Sequence, residues 1–180
     1  IIPTDEEAAQ YWRVQPGIDL SHILYFGRKE NFWEMAETGP CGPCSEIHID
    51  RGIAFCDKQH VSGHVCGVNG DCTRFLELWN NVFIQYNRIN EETLEPLPAT
   101  HVDTGMGFER IVSVLQDVDS NYRTDLLFPL IQTVQQLTED SDEEVNNNFT
   151  PYRVIADHAR AATFLIGDGV VPGNTGRNYV

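Results

Sequence analysis

Residues 101–110 of the chain, His-Val-Asp-Thr-Gly-Met-Gly-Phe-Glu-Arg, place a carboxylate, two glycines and an arginine within ten positions. The apolar residues from Phe108 onward follow the i, i+3, i+4, i+7 spacing of a helix with one buried face, so we expect a helix to begin near Met106. Arg110 would lie about 200° around this helix from Phe108, where its guanidinium can meet an anion. These features indicate the floor of a substrate site.

The same segment also has a simpler interpretation. Asp103 or Thr104 would serve only as the N-cap of the helix, and Gly105 and Gly107 would only form a turn. Glycine equally permits a ligand to come close to the backbone, because it has no Cβ. The local pattern leaves both interpretations open.

Composition limits the class of protein. The chain has 180 residues, 41% of them hydrophobic, which is enough for one sizeable core or for one domain and part of another. Its formal net charge of −15 argues against nucleic-acid binding by these residues alone, since phosphate binding relies on clustered Lys and Arg. There is no apolar run of about 18 residues and no secretory signal, so we expect no membrane partner and a cytoplasmic location. The five cysteines, an odd number, fit reduced thiols or metal ligands better than a disulfide framework.

Several segments carry strand patterns. Residues 45–50 alternate, with Glu46 and His48 on a polar face. Residues 75–87 are aromatic and β-branched and contain neither Gly nor Pro, as is typical of a strand. Shorter strands are expected at three further places, residues 23–26, 31–35 and 94–97. Helices are expected afterwards, at residues 125–137 and 151–166, so the element order predicts an α+β fold.

Asn80 is an amide on an otherwise apolar face. Strict alternation along its strand groups it with Leu76, Leu78 and Val82 and puts Glu77 on the opposite face, unless a bulge intervenes. A buried amide without hydrogen bonds costs about 1–3 kcal/mol. Asn80 is therefore either satisfied inside the protein or in contact with a ligand, and alternation does not distinguish the two.

Two cysteine patterns suggest other functions. Cys41-Gly-Pro-Cys44 has the spacing of a thioredoxin-type redox pair. Such a pair is normally followed directly by a helix, whereas residues 45–50 alternate like a strand. The second pattern provides five potential Zn²⁺ ligands within seventeen residues: Cys56, His60, His64, Cys66 and Cys72. Its spacing matches no standard zinc finger, and loops of this kind also arise without metal. It indicates a zinc-binding module or zinc as an accessory to an enzyme.

Five segments occur in a distinctive order. They are Asn-Phe-Trp-Glu-Met at 31–35, Thr-Gly-Pro-Cys-Gly-Pro-Cys-Ser-Glu at 38–46, Leu-Trp-Asn at 78–80, Asp-Thr-Gly-Met-Gly-Phe-Glu-Arg at 103–110 and Ile-Ala-Asp-His-Ala-Arg at 155–160. Together they resemble alanyl-tRNA synthetases over nearly the whole chain, and Gly-Met-Gly-Phe-Glu-Arg is similar to the third signature motif of class II synthetases. The resemblance implies an antiparallel class II synthetase-type active-site sheet with flanking helices, followed by the start of a helical region.

The resemblance also implies a domain organisation. Residues 1–138 would be the C-terminal portion of the class II aminoacylation domain, and residues 151–180 the start of a helical tRNA-recognition domain. Between them, the acidic and asparagine-rich composition of residues 139–150 itself indicates an exposed acidic connector. The first two class II motifs have no counterpart in these residues and would precede Ile1, and an editing domain would follow Val180. We therefore expect the chain to be an internal fragment.

The activity implied is the ATP-dependent conversion of alanine to alanyl-adenylate, followed by transfer to tRNA(Ala). In the alanine pocket, Asp103 would hold the substrate ammonium and Gly105 would form the floor. Trp33 and Val82 would contact the methyl group, and Asn80 would donate a hydrogen bond to the substrate. Each of these roles is carried over from the family.

For the nucleotide, the resemblance implies that Arg110 and Gly107 meet the ATP phosphates, so that Arg110 and Asp103 are the expected catalytic residues. Glu46 and Glu77 are candidate Mg²⁺ ligands, since Mg²⁺ typically uses one or two carboxylates plus phosphates and water.

For tRNA, Asn174 matches a family segment that contacts the acceptor stem near its characteristic G·U pair, and Arg177 would contact phosphate. Most other tRNA contacts would lie outside these residues. The alternative is that Asn174 only caps the next helix.

Overall fold

The computed structural model describes residues 5–176, and the chain divides after Arg110 into two compact units. The first unit contains helices α1 (Glu6–Arg13) and α2 (Arg28–Asn31) and, within the described residues, a four-stranded antiparallel sheet. The strands are neighbours in chain order: β1 (Phe32–Glu34), β2 (Gly39–Asp50), β3 (Phe75–Arg88) and β4 (Leu94–Met106). This antiparallel sheet with helices confirms the predicted α+β class.

The second unit is helical. Helix α3 (Phe108–Leu115) leads into it, and α4 (Phe128–Thr138), α5 (Asp142–Asn147) and α6 (Phe149–Gly167) follow. Its core consists of side chains from the last three helices: Ile131, Val145, Tyr152 and Ala156. None of the helices within residues 5–176 combines the length and apolar character that crossing a membrane requires.

Strand β4 is longer than its apolar pattern indicates. It runs from Leu94 through Met106, and Asp103 pairs with Val82 on β3. Asp103 and Thr104 therefore lie within a strand, and their interpretation as a helix N-cap is wrong. The helix itself begins at Phe108, close to the expected position.

Residues 23–26 form no strand. The backbone N–H of Phe26 instead donates to Asn31 Oδ1 at 3.2 Å, a local contact that leads the chain into α2. The prediction that the apolar run at residues 23–26 forms a strand is therefore wrong.

The β2–β3 pairing contains two irregularities. Ile47 lies opposite Trp79, whereas the next residue, His48, lies opposite Glu77, so β3 has one extra residue between them. Such a bulge reverses the alternation of side chains on the bulged strand. It brings Glu77 to the face that carries His48, which strict alternation does not predict.

The second irregularity lies between Cys41 and Cys44. Here Gly42 approaches β3 so closely that a Cβ on it would lie 1.9 Å from the carbonyl oxygen of Phe83. Only glycine fits this position, because no side chain tolerates backbone at that distance.

The acidic segment at residues 139–150, predicted to be an exposed connector, contains a short helix. Ser141 and Glu144 form a capping box, with Ser141 N–H donating to Glu144 Oε2 at 2.8 Å, and α5 follows. Val145 packs in the core of the second unit. Acidic residues in a first helical turn interact favourably with the helix dipole, so the charge supports α5. The domain boundaries at 138 and 151 stay predictions.

Candidate active site

One cross-strand row on the sheet joins three residues singled out in the sequence. Glu46 on β2 pairs with Asn80 on β3, which pairs with Gly105 on β4. Directly opposite residues in an antiparallel sheet project from the same face. The next row along, Val82 and Asp103, projects from this face too. The structure thus brings four predicted alanine-site residues together across β3 and β4.

Trp33, the fifth predicted alanine-site residue, lies on β1, the edge strand farthest from β4. It pairs with Gly42 on β2 and is half-buried. Two strands separate it from β4, so the described residues do not place it beside Asp103. Its contact with the substrate stays a prediction.

Asn80 belongs to a polar network that the sequence did not predict. Its Nδ2 donates to Glu46 Oε1 at 3.2 Å, and the other oxygen of Glu46 lies 2.9 Å from His48 Nε2. Among the described residues, Asn80 Oδ1 and His48 Nδ1 are buried without a hydrogen-bond partner. A donor of Asn80 is therefore satisfied internally, and its contact with a ligand stays a prediction. The polar alternation at positions 46 and 48 was the signal for this network.

Asp103 and Gly105 lie on the exposed part of β4. Asp103 Oδ1 accepts a hydrogen bond from the N–H of Thr104 at 2.9 Å. A Cβ built at Gly105 would meet no atom within 4 Å. Packing within the described residues therefore does not require glycine at this position. The open space above Gly105 agrees with its predicted role as the floor of a ligand pocket.

Arg110 is fixed to β3 by Glu77. Its Nη1 donates to the carbonyl oxygen of Glu77 at 3.0 Å and to Glu77 Oε2 at 3.1 Å. The N–H of Gly107 donates to Leu78 O at 3.1 Å, so the turn into α3 is also tied to the bulge. Arg110 was expected to be directed at an anion, and the structure shows that Glu77 holds it.

The two predicted Mg²⁺ ligands share the polar face but have different partners. Glu46 contacts Asn80 and His48, whereas Glu77 pairs with Arg110. Strict alternation puts Glu77 on the face opposite Asn80, and the bulge in β3 is what brings it to the polar face. Their metal-binding role stays a prediction.

Cys41 and Cys44 are buried in β2 as free thiols. Burial raises the pKa of Cys41, and burial followed by the nearby Glu46 charge raises the pKa of Cys44 to about 11. A redox pair requires an accessible thiolate. The structure therefore argues against the thioredoxin-type alternative.

Four of the five predicted zinc ligands converge. The ligand atoms of Cys56, His64, Cys66 and Cys72 all lie within 4.8 Å of one another, an arrangement that can hold a metal ion. His60 is exposed and lies outside this group, so its inclusion is wrong. We call these four residues the Cys/His cluster.

Electrostatics differ among the thiols of the Cys/His cluster. Desolvation raises the pKa of Cys56 to about 11. Desolvation also acts to raise the pKa of Cys66, but hydrogen bonds from Cys56 and Cys72 bring it below its usual value. These opposite pKa shifts of Cys56 and Cys66 reflect the close approach of the sulfurs in the cluster.

The predicted tRNA-binding residues lie after α6. Asn174 is exposed in the second unit, whereas Arg177 lies outside the described residues. The structure therefore leaves both interpretations of Asn174 open.

Comparisons with known proteins agree on one family. The family model described as "tRNA synthetases class II (A)" matches residues 1–180. The chain is 51% identical over 179 residues to an alanine-tRNA ligase of Roseiflexus sp. (strain RS-1), covering 99% of this chain and 19% of that protein. It is 48% identical over 176 residues to the alanine-tRNA ligase of Desulfosudis oleivorans, covering 98% and 20%. The chain thus spans about a fifth of the length of these curated relatives.

Proposed function

The chain belongs to the class II (A) tRNA synthetase family, and from that premise we propose that it forms part of an alanine-tRNA ligase. The reaction would join alanine to ATP as alanyl-adenylate, release pyrophosphate and transfer alanine to tRNA(Ala). The observation that carries this proposal is the shared face of Asn80, Val82, Asp103 and Gly105 on β3 and β4. These residues combine a negative charge, an unpaired carbonyl, a small apolar surface and an open backbone position.

The alanine ammonium would lie over Gly105, between the Asp103 carboxylate and Asn80 Oδ1. Both groups accept hydrogen bonds, and a charge-assisted bond to the carboxylate is stronger than a neutral one. Asn80 would accept through Oδ1, which has no hydrogen-bond partner within the described residues, while Nδ2 donates one of its two N–H groups to Glu46. The substrate methyl group would then contact the side chain of Val82, which is buried on the same face.

Activation requires the alanine carboxylate to attack the α-phosphate of ATP. Arg110 would stabilise the negative charge that spreads over the phosphate oxygens, and its ion pair with Glu77 would hold it in position beforehand. The backbone of Gly107 is close enough to this arginine to share the phosphate site, since a Cβ there would lie 3.1 Å from Arg110 Cδ.

Mg²⁺ would be held by Glu46 or Glu77 together with the phosphates, since carboxylate oxygens on a polar face are suitable ligands. Bound Mg²⁺ would neutralise phosphate charge. Zn²⁺, which the sequence predicts as an accessory to the enzyme, would bind to the Cys/His cluster and take no part in this reaction. Asn174 and Arg177 would contact the tRNA, and the five free thiols fit the cytoplasm as the compartment.

The test is Asp103→Asn in a full-length ligase that carries this sequence. The substitution keeps the side-chain shape but removes the charge, so alanine affinity measured by calorimetry should fall by about tenfold or more. Because Asp103 is exposed, the thermal midpoint should not change.

Glu95→Gln, an exposed charge removal on the same strand, is the matched control and should leave alanine affinity unchanged. If Asp103→Asn bound alanine as tightly as the wild type, the proposed ammonium site would be wrong.

A further inference from the structure

The connection between β2 and β3 has almost no core of its own. Of residues 51–74, all of which the structure describes, only Cys56 is buried. A segment of this length that buries so little apolar surface does not offset the entropy cost of ordering it. Small folds in this situation are commonly held by disulfides or a metal ion. All five cysteines are free, so disulfides do not supply the restraint here.

The distances within the Cys/His cluster match a tetrahedral zinc site. His64 Nε2 lies 3.3 Å from Cys56 Sγ and 3.6 Å from Cys66 Sγ. Zinc bonds of about 2.3 Å to sulfur and about 2.0 Å to nitrogen at tetrahedral angles imply a sulfur-to-nitrogen separation of about 3.5 Å. His64 therefore already lies at the distance from two thiols that such an ion requires, and the remaining ligand atoms lie within 4.8 Å of one another.

A carboxylate outside the Cys/His cluster gives a second, independent indication. His64 Nδ1 lies 3.3 Å from Asp71 Oδ1, while Nε2 faces the thiols. The other oxygen of Asp71 is held by Lys58 Nζ at 2.8 Å. Metal-binding histidines usually donate their second ring N–H to a carboxylate in this way, which fixes the tautomer that ligates the metal.

We propose that Cys56, His64, Cys66 and Cys72 bind one Zn²⁺ ion in a closed structural site, with Asp71 as the residue that positions His64. Four protein ligands leave no position for substrate, which distinguishes a structural zinc site from a catalytic one. Thiolates and imidazole favour zinc over magnesium or calcium. This proposal concerns chain folding and does not depend on the proposed ligase reaction.

The ion would fix the geometry of the strand ends. Cys72 lies three residues before β3 begins at Phe75, and Cys56 lies six residues after β2 ends at Asp50. Between them and the sheet, Arg74 pairs with Asp50 through two contacts of 2.6 Å. Zinc would thus hold together the connection between the strands that carry Glu46 and Asn80 without touching either residue.

The metal content of the full-length protein, purified without a histidine tag, tests the proposal. Cys56→Ser and Cys72→Ser should each contain about one zinc equivalent less per chain than the wild type by plasma mass spectrometry. The difference between proteins is the relevant quantity, since it does not depend on zinc bound elsewhere. His60→Ala changes an exposed histidine of the same loop that lies outside the cluster and should retain the wild-type content.

Asp71→Asn keeps the test decisive if the cysteine variants do not fold. It should bind zinc with the same stoichiometry but about 10–100-fold more weakly in chelator competition. Cobalt substitution of the wild type should give thiolate charge-transfer bands and intense tetrahedral d–d bands. Equal zinc content in the wild type and both cysteine variants, or unchanged chelator competition for folded Asp71→Asn, would overturn the proposal.

Discussion

At the scale of single residues, two glycines illustrate two different requirements. A Cβ at Gly42 would lie 1.9 Å from the backbone of Phe83, whereas a Cβ at Gly105 would meet no atom within 4 Å. Gly42 is thus required by the sheet itself. Gly105 is required, on our proposal, by the alanine that lies over it.

We expect Gly105→Ala to leave the thermal midpoint of the full-length ligase unchanged and to weaken alanine activation. The added methyl group has room in the chain but would occupy the space of the substrate, so the KM for alanine should rise by about tenfold or more. Pyrophosphate exchange with alanine and with glycine measures this, and the smaller glycine should be affected less. Gly42→Ala, as the contrasting change, should lower the thermal midpoint. Identical activation kinetics for Gly105→Ala and the wild type would argue against a pocket floor.

Single residues also show what alternation along a strand does and does not predict. It identified Asn80 as a polar member of an apolar face, because side-chain direction has a period of two. It did not place Glu77, because the bulge opposite Ile47 and His48 changes that period. A bulge depends on the register of two strands distant in sequence, so no local pattern in β3 reports it.

At the scale of elements, strand β1 is fastened to the sheet by a buried cation. Arg88 on β3 is buried, and its Nη2 lies 2.5 Å from Glu34 Oε1 on β1. Arg28 contacts the same oxygen at 2.5 Å. The short strand that carries Trp33 is therefore positioned by charge as well as by backbone hydrogen bonds.

Glu34→Gln should loosen β1, because it leaves the buried Arg88 without a counter-charge. We expect the opening free energy of residues 32–34, measured by hydrogen exchange, to fall by about 1–3 kcal/mol. Glu37→Gln, an exposed charge removal in the following turn, is the control. Equal protection of β1 in both variants would show that the ion pair does not stabilise the strand.

The same pair predicts a pH dependence. Arg28 first, and then Arg88, hold the pKa of Glu34 below its usual value. A carboxyl group with a lowered pKa in the folded state stabilises the protein above its unfolded pKa and loses that effect as pH falls through its folded pKa. The difference in thermal midpoint between the wild type and Glu34→Gln should therefore be full at neutral pH and shrink in acid. A difference that stays constant down to acid pH would contradict this assignment.

Some helices and strands could be predicted from the sequence and others could not, and the difference has physical reasons. The long strand β3 was evident because its composition favours strand over its whole length. Helix α5 was missed because five of its six residues are acidic or amide and resemble a solvated connector, although Ser141 and Glu144 form a capping box. One buried side chain, Val145, distinguishes the helix from a linker, and its burial depends on α4 and α6.

At the scale of the whole molecule, the chain supplies two compact units with different chemistry. The residues of the proposed alanine site belong to the first unit, and Asn174 belongs to the second. Because a net charge of −15 is unfavourable for phosphate binding, the tRNA affinity of the proposed ligase would come mostly from residues outside this chain. Any tRNA contact made by Asn174 would then contribute selectivity more than affinity.

In a full-length ligase, we expect Asn174 to contribute to tRNA selection. A side-chain amide can read a base edge by hydrogen bonding, whereas an arginine on phosphate binds all sequences alike. Asn174→Ala should therefore reduce aminoacylation of tRNA that bears the G·U pair by about fivefold or more relative to a stem variant, since a good base contact is worth about 1–3 kcal/mol. Adenylate formation should stay normal.

Arg177→Ala provides the comparison, because it should weaken both stems equally and reduce the salt dependence of binding. The alternative role of Asn174, capping the next helix, makes a different prediction. A lost cap would lower activity on both stems together and would also lower the thermal midpoint, because the cap stabilises the helix rather than the tRNA complex. Selective loss on the G·U stem without a change in thermal midpoint is the result that only base recognition explains.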